Sequence, residues 1–229
     1  MPRRSNWLAV ATAGRGPRAV WDTFFMSRKG FVVLVGLLAA AAALAGYMVS
    51  RQLARSQPQL ATGTMLPQAR LLRPFALMDH EGQAFGNARL AGHASLLFFG
   101  FTHCPDVCPT TLALMAQLKR DPALEKLQML FVTVDPARDD TTTLRAYVAA
   151  FGGNMVGLRG EDAALEPLLA DLGAVRVIQP QPGGSYSVDH SATLHYLDAS
   201  GAMVAVFTPP FDAGKLATDL ATLLAATGH

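Results

Sequence analysis

Nineteen consecutive residues without a charge, Phe31 to Val49 (FVVLVGLLAAAAALAGYMV), constrain this chain more than any other feature. A helix needs about 20 apolar residues to cross the hydrocarbon part of a bilayer, and this run matches that length. A cleavable signal peptide has a shorter apolar region of about 7–15 residues, and here thirty residues precede the run. An uncleaved anchor is therefore expected at 31–49. The Ala43-Leu44-Ala45 triplet resembles a cleavage site, so removal stays as the alternative.

Charge orients the span. Residues 1–59 carry eight basic residues against Asp22 alone, a balance of +7, and six of the eight (Arg3, Arg4, Arg15, Arg18, Arg28 and Lys29) precede the apolar run. The remainder holds eleven basic and sixteen acidic residues, a balance of −5. The formal +2 thus hides a basic tail joined to an acidic domain. Basic residues flanking an apolar span mark membrane orientation and give no nucleic-acid signature. The positive-inside bias puts residues 1–30 in the cytoplasm and the acidic domain across the membrane. The lysine-poor, alanine-rich composition fits a bacterial inner membrane with the domain in the periplasm. The alternative is a mitochondrial inner membrane, with the domain facing the intermembrane space. Periplasm is oxidising, so two thiols there are expected to pair unless something prevents it.

Residues 50–68 are polar and aperiodic, as a tether would be, and the exported domain occupies 69–229. Its segments alternate in type. Phe75–Asp79 and Gln83–Phe85 flank HEGQ as a short hairpin. SLLFFGF (95–101) and LQMLFVTVD (127–135) are apolar runs of the sort found in central parallel strands. Leu112, Met115 and Leu118 between them recur at helical spacing. A second helix is expected over 141–151 with Asp139 or Asp140 as N-cap, and a third near 161–172 ending at Gly173. Strands at 192–198 and 202–208 and a helix from Asp212 to Ala226 complete the domain. The pattern predicts an α/β sandwich of thioredoxin type.

The only two cysteines, Cys104 and Cys108, lie in FFGFTHCPDVCPTTL, with three residues between them. They follow the carboxyl end of a central strand, where α/β sheets place ligands. Proline suits the first helical turn and disfavours helical geometry at the residue before it, so Pro109 makes Cys108 the expected N-cap. A helix start favours thiolate over thiol, and thiolate both attacks disulfides and binds metals. A plain structural staple is the bland alternative, but so small a loop gains little from closure. Two sulfurs need a further ligand to hold a metal. His80 falls in a hairpin turn, His93 in a loop and His229 at the terminus. His103 adjoins Cys104 but points away if the strand alternation persists. His195 lies mid-strand, where a satisfied core or surface histidine is expected. His190, after the loop QPQPGGSYSVD, approaches the thiols if the strand that follows it neighbours the one ending at Gly100. Two thiolates and an imidazole suit copper, with zinc the competitor. Zinc normally takes a fourth ligand, whereas a three-ligand site suits passing a metal on.

FFGFTHCPDVCPTTL, VTVDPARD (132–139) and VDHSA (188–192) together resemble the Sco/SenC copper-binding proteins, over roughly residues 70–226. The resemblance implies a copper metallochaperone, Cu(I)/Cu(II), with Cys104, Cys108 and His190 as the ligands. It implies delivery of copper to, or thiol reduction at, the dinuclear copper A site of cytochrome c oxidase. The copper A subunit and other periplasmic copper carriers are then the partners. Asp135 would lie near the site or contact a partner; its bland role is a strand-end carboxylate capping the next turn. Arg138 and Asp139 are expected to form a local ion pair. His195 departs from the family, whose members often have an aliphatic or aromatic residue there.

Two other functions compete. A thiol–disulfide oxidoreductase, or a redox or copper sensor, would use Cys104 and Cys108 as a redox disulfide. Against a general reductase, no proline precedes the strand facing the thiols; VDHSA supplies His190 instead. A peroxiredoxin-like peroxidase usually has Thr or Ser three before its cysteine and an arginine opposite. Here Phe101 takes the first place, and no arginine occurs from Gln179 to Leu197.

Overall fold

The central apolar runs form strands because continuous Leu and Phe can be buried on both sheet faces. In the computed structural model, residues 28–55, 58–152 and 154–227 are described; the basic residues before Arg28 and the terminal His229 lie outside them. The first element is helix α1 (Arg28–Arg55), whose segment Lys29–Arg51 is long and apolar enough to cross a membrane. It belongs to a unit separate from the domain that begins at Pro58.

The described residues of the domain contain ten strands. They are β1 (Gly63–Leu71), β2 (Ala76–Asp79), β3 (Ala84–Gly86), β4 (Ser95–Gly100), β5 (Gln128–Thr133), β6 (Val156–Arg159), β7 (Arg176–Pro180), β8 (Tyr186–His190), β9 (Leu194–Leu197) and β10 (Ala202–Phe207). Eight of them form one sheet in the order β1-β10-β9-β4-β5-β6-β2-β3, while β7 and β8 pair only with each other. Helix α2 (Asn87–Leu90) is a single turn; α3 (Val107–Leu118), α4 (Thr141–Phe151), α5 (Asp162–Leu172) and α6 (Ala213–Thr227) are longer.

β4 runs parallel to β5, with Phe98 opposite Phe131, and antiparallel to β9, with Phe98 opposite Leu194. All six β4 residues are buried. β4-α3-β5-α4-β6 is a pair of parallel crossovers, and α3 packs against both α4 and α6. Because strand residues alternate faces, Phe98 and Gly100 look one way, while Phe99 and the His195 paired beside Leu97 look the other.

Local chemistry places several ends where the sequence predicts. Asp140 caps α4 by accepting from Thr143 N at 2.7 Å, and Asp212 accepts from Lys215 N at 2.9 Å at the start of α6. α5 ends at Gly173, whose left-handed φ of 67° suits a residue without Cβ. In the β2–β3 turn, Asp79 Oδ1 accepts from Glu81 N and Gln83 N.

Three elements differ from expectation. The sheet begins at Gly63, inside the expected tether, because β1 pairs with β10. Buried Asp219 of α6 fixes that entry by accepting from Ala61 N, Thr62 N, Thr62 Oγ1 and Gly63 N. The segment read as a loop before His190 is the β7–β8 hairpin, with Ile178 opposite Val188. Its tip needs the positive φ of Gly183 and Gly184, so glycine and proline there mark a turn between strands. Lastly, α3 begins at Val107, and Cys108 sits inside its first turn. Early N–H groups of a helix have no intrahelical partner, so Pro109 is tolerated two residues in and does not set the start.

Candidate metal centre

The strand β4 delivers the chain to one edge of the sheet, and the next six residues turn it into α3. Cys104 N donates to Phe101 O at 3.2 Å, closing that turn. Thr102, two residues before Cys104, is fixed by the fully buried Asp139. This carboxylate accepts from Thr102 N at 3.0 Å, Thr102 Oγ1 at 2.6 Å and Thr133 Oγ1 at 2.6 Å. Asp139 therefore anchors the cysteine loop and does not pair with Arg138. The arginine instead meets Asp135 through Nε. Sequence spacing alone gave no means of choosing between the two carboxylates.

Cys108 is fully buried against β4, and Gly100 makes that approach possible. A Cβ at Gly100 would lie 2.8 Å from Cys108 Sγ and 2.7 Å from Phe131 Cε2, closer than carbon atoms tolerate. Burial pushes the Cys108 thiol up, outweighing the lowering contribution of its hydrogen bond with the Phe101 backbone. Loss of hydration at Cys108 thus works against the thiolate character expected from the helix start. Cys104 is half-buried, and Cys108 N approaches its Sγ at 3.5 Å. Both cysteines are free.

His190 arrives from β8. Its Nε2 lies 3.3 Å from Cys108 Sγ, and its Nδ1 lies 3.0 Å from Ser191 O. A carbonyl oxygen only accepts, so Nδ1 carries the proton and Nε2 turns its lone pair toward the sulfur. Burial holds the His190 pKa below its ordinary value, which keeps that lone pair free. The rings of Phe98 and Phe101 stand edge-on to it, at 5.9 and 5.8 Å between centroids. One ligand atom from each of Cys104, Cys108 and His190 lies within 4.8 Å of the others, the one such cluster among the described residues. Two sulfurs and one neutral imidazole form a soft donor set that fits copper.

Among the described residues, the other histidines stay outside the cluster. His103 is largely exposed, with Nδ1 at 3.1 Å from Thr102 Oγ1, and His80 Nδ1 accepts from Gly157 N at 3.0 Å. His195 is buried on the opposite sheet face beside Phe99, as a core residue, yet neither ring nitrogen has a partner. Burial lowers its pKa to about 4. Asp135 is also buried. It accepts from Tyr186 Oη at 2.7 Å and from Arg138 Nε, so it links the β5 end to the hairpin bearing His190. Tyr186 was not singled out by sequence patterns, because its partner Asp135 lies far away along the chain; Asp139 was expected as an N-cap or an ion-pair partner, and its hold on Thr102 was not.

The SCO1/SenC family model matches residues 63–225. A Stutzerimonas stutzeri protein described as a putative copper-binding protein is 38% identical over 142 residues, covering 61% of this chain and 70% of its own. The structure of Bradyrhizobium japonicum ScoI with copper bound is 33% identical, with a TM-score of 0.60, covering 66% of this chain and 97% of that one. Arabidopsis thaliana ScoI with copper bound gives 26% identity and a TM-score of 0.63, over 68% and 98% of the respective chains. The domain has the thioredoxin-like α/β fold of these proteins. With the family match running through β1, the cysteine loop and the His190 hairpin, this chain belongs to the SCO1/SenC family.

Proposed function

We propose that this protein is a copper metallochaperone that takes part in cytochrome c oxidase assembly, holding its cargo through Cys104, Cys108 and His190. The observation that carries this reading is the convergence of two free sulfurs and a neutral imidazole within 4.8 Å. Copper-bound relatives of the same fold support it. The protein delivers that copper to the dinuclear copper A site of the oxidase, or prepares the site by reducing its thiols. Helix α1 serves as a single membrane anchor, with the N-terminus cytoplasmic and the domain in the periplasm of a bacterium. Copper titration of the reduced full-length protein tests the centre. One tight site is expected, lost or severely weakened in Cys104→Ser, Cys108→Ser and His190→Ala; unchanged binding in these variants would overturn the assignment.

A second reading has its own support. Half-buried Cys104 beside buried Cys108 is the arrangement of an attacking thiol with a resolving partner. A thiol–disulfide oxidoreductase would form a mixed disulfide with the oxidase domain and would keep that ability in His190→Ala. A metallochaperone loses transfer in the same variant.

A further inference from the structure

We propose that Tyr186, Asp135 and Arg138 form a clasp that positions His190 over Cys108 and so decides how tightly oxidised copper is held relative to reduced copper. The proposal rests on the ligand assignment above and extends it to residues outside the donor set.

His190 is the last residue of β8, and β7–β8 pairs with no strand of the main sheet. Main-sheet pairing brings the chain to this end of the sheet but holds no residue of the hairpin, so contacts from outside β7–β8 set how His190 stands. At its base, Ser191 N donates to Val175 O, and Arg176 Nη1 donates to Val134 O at 3.1 Å. At its other end, the clasp is made by the segment that follows β5. Tyr186 Oη donates to Asp135 Oδ1 at 2.7 Å, and Arg138 Nη1 donates to Tyr186 O at 3.2 Å. The Arg138 guanidinium also lies 4.0 Å from the Tyr186 ring centroid and 5.7 Å from that of Phe101, whose ring stands edge-on to His190.

Tyr186 and His190 are four residues apart on one strand, so they project from the same face. The clasp thus pulls the hairpin toward the core on the side where His190 meets the sulfur. Beyond Tyr186 the strand runs into Gly183 and Gly184, which supply no stiffness of their own. Arg138 Nη2 is buried without a hydrogen-bond partner. An orphaned buried donor is unfavourable, so the guanidinium is held there by its other contacts.

The chemical consequence differs between the two copper states. Soft Cu(I) is satisfied mainly by the thiolates, whereas Cu(II) depends more on nitrogen ligation. Loosening His190 therefore weakens Cu(II) first.

The test measures Cu(I) and Cu(II) affinity by competition titration, with electron paramagnetic resonance of the Cu(II) form, on full-length protein in detergent. In Tyr186→Phe, which removes one hydroxyl, Cu(II) affinity is expected to fall about tenfold or more and Cu(I) affinity less than about threefold, with an altered Cu(II) spectrum. Asp135→Ala should act in the same direction, and adding Tyr186→Phe to it should cause no further loss, because Asp135 is the acceptor of the Tyr186 hydroxyl. If Tyr186→Phe keeps the wild-type Cu(II) spectrum and affinity while His190→Ala loses them, the clasp is refuted and the ligand set stands. If His190→Ala also behaves as wild type, the ligand assignment itself fails. Equal losses for both copper states, with a lowered melting temperature, would mean general destabilisation and would also refute the clasp.

Discussion

Cys108 Sγ and His190 Nε2 lie 3.3 Å apart although 82 positions separate them in the chain. The contact exists because β9 runs antiparallel beside β4, which returns the residues preceding Leu194 to the end of the sheet where β4 finishes. His190 then presents its unprotonated nitrogen because Ser191 O occupies the other one. Strand pairing supplies the proximity and one backbone carbonyl supplies the tautomer.

Gly100→Ala should disrupt the centre without touching a ligand. The added methyl would meet Cys108 Sγ and Phe131 at under 3 Å, in a layer where neither neighbour is free to move away. Overpacking of this kind is destabilising by about 1–3 kcal/mol. Urea denaturation should show that loss, and copper titration should show weaker binding; wild-type behaviour in both would contradict the packing argument.

The thiols should react in a fixed order. Cys104 is half-buried, whereas Cys108 is fully buried with its thiol pushed up by loss of hydration. Since thiolate is the reacting form, iodoacetamide at pH 8 should modify Cys104 at least about tenfold faster than Cys108. Peptide mapping by mass spectrometry over a time course checks this, and equal rates would count against the burial of Cys108.

Asp139→Ala should release the cysteine loop. The carboxylate, itself fully buried, serves Thr102 through both backbone and hydroxyl, and Thr133 through a buried hydroxyl. Leaving these donors unpaired should be destabilising by roughly 2–4 kcal/mol. Copper occupancy should fall as well, because Thr102 is two residues from Cys104. Denaturant titration read beside metal content measures both effects.

His195 should make the domain sensitive to acid. Its imidazole has an ordinary value of 6.5 and is held at about 4 in the folded state by burial alone. Between those values the unfolded chain binds a proton that the folded chain does not, so stability declines as pH falls from about 6.5 to about 4. At 1.36 kcal/mol per unit, the loss is about 3 kcal/mol across the window. His195→Leu keeps the apolar contact with Phe99 and removes the titrating group, so its stability should fall less over the same range. Denaturant midpoints at pH 7, 5.5 and 4 compare the two proteins.

The sequence by itself determined the elements whose signals are local. Nineteen uncharged residues make an apolar helix, apolar runs make central strands, and Asp140, Gly173 and Asp212 mark helix ends through bonds to residues a few positions away. The cysteine spacing was visible, and so were the block containing His190 and the likeness to a copper-binding family. Tertiary structure alone decided which partners those residues found. It placed Asp139 on Thr102 and gave Arg138 to Asp135, a choice invisible when all are neighbours in one segment. It turned a proline- and glycine-rich stretch into the hairpin that carries His190, since pairing between strands outweighs weak local propensity. It also buried Cys108 deeply enough to work against the expected ease of ionisation, because desolvation depends on everything packed around a group and not on its position in a helix.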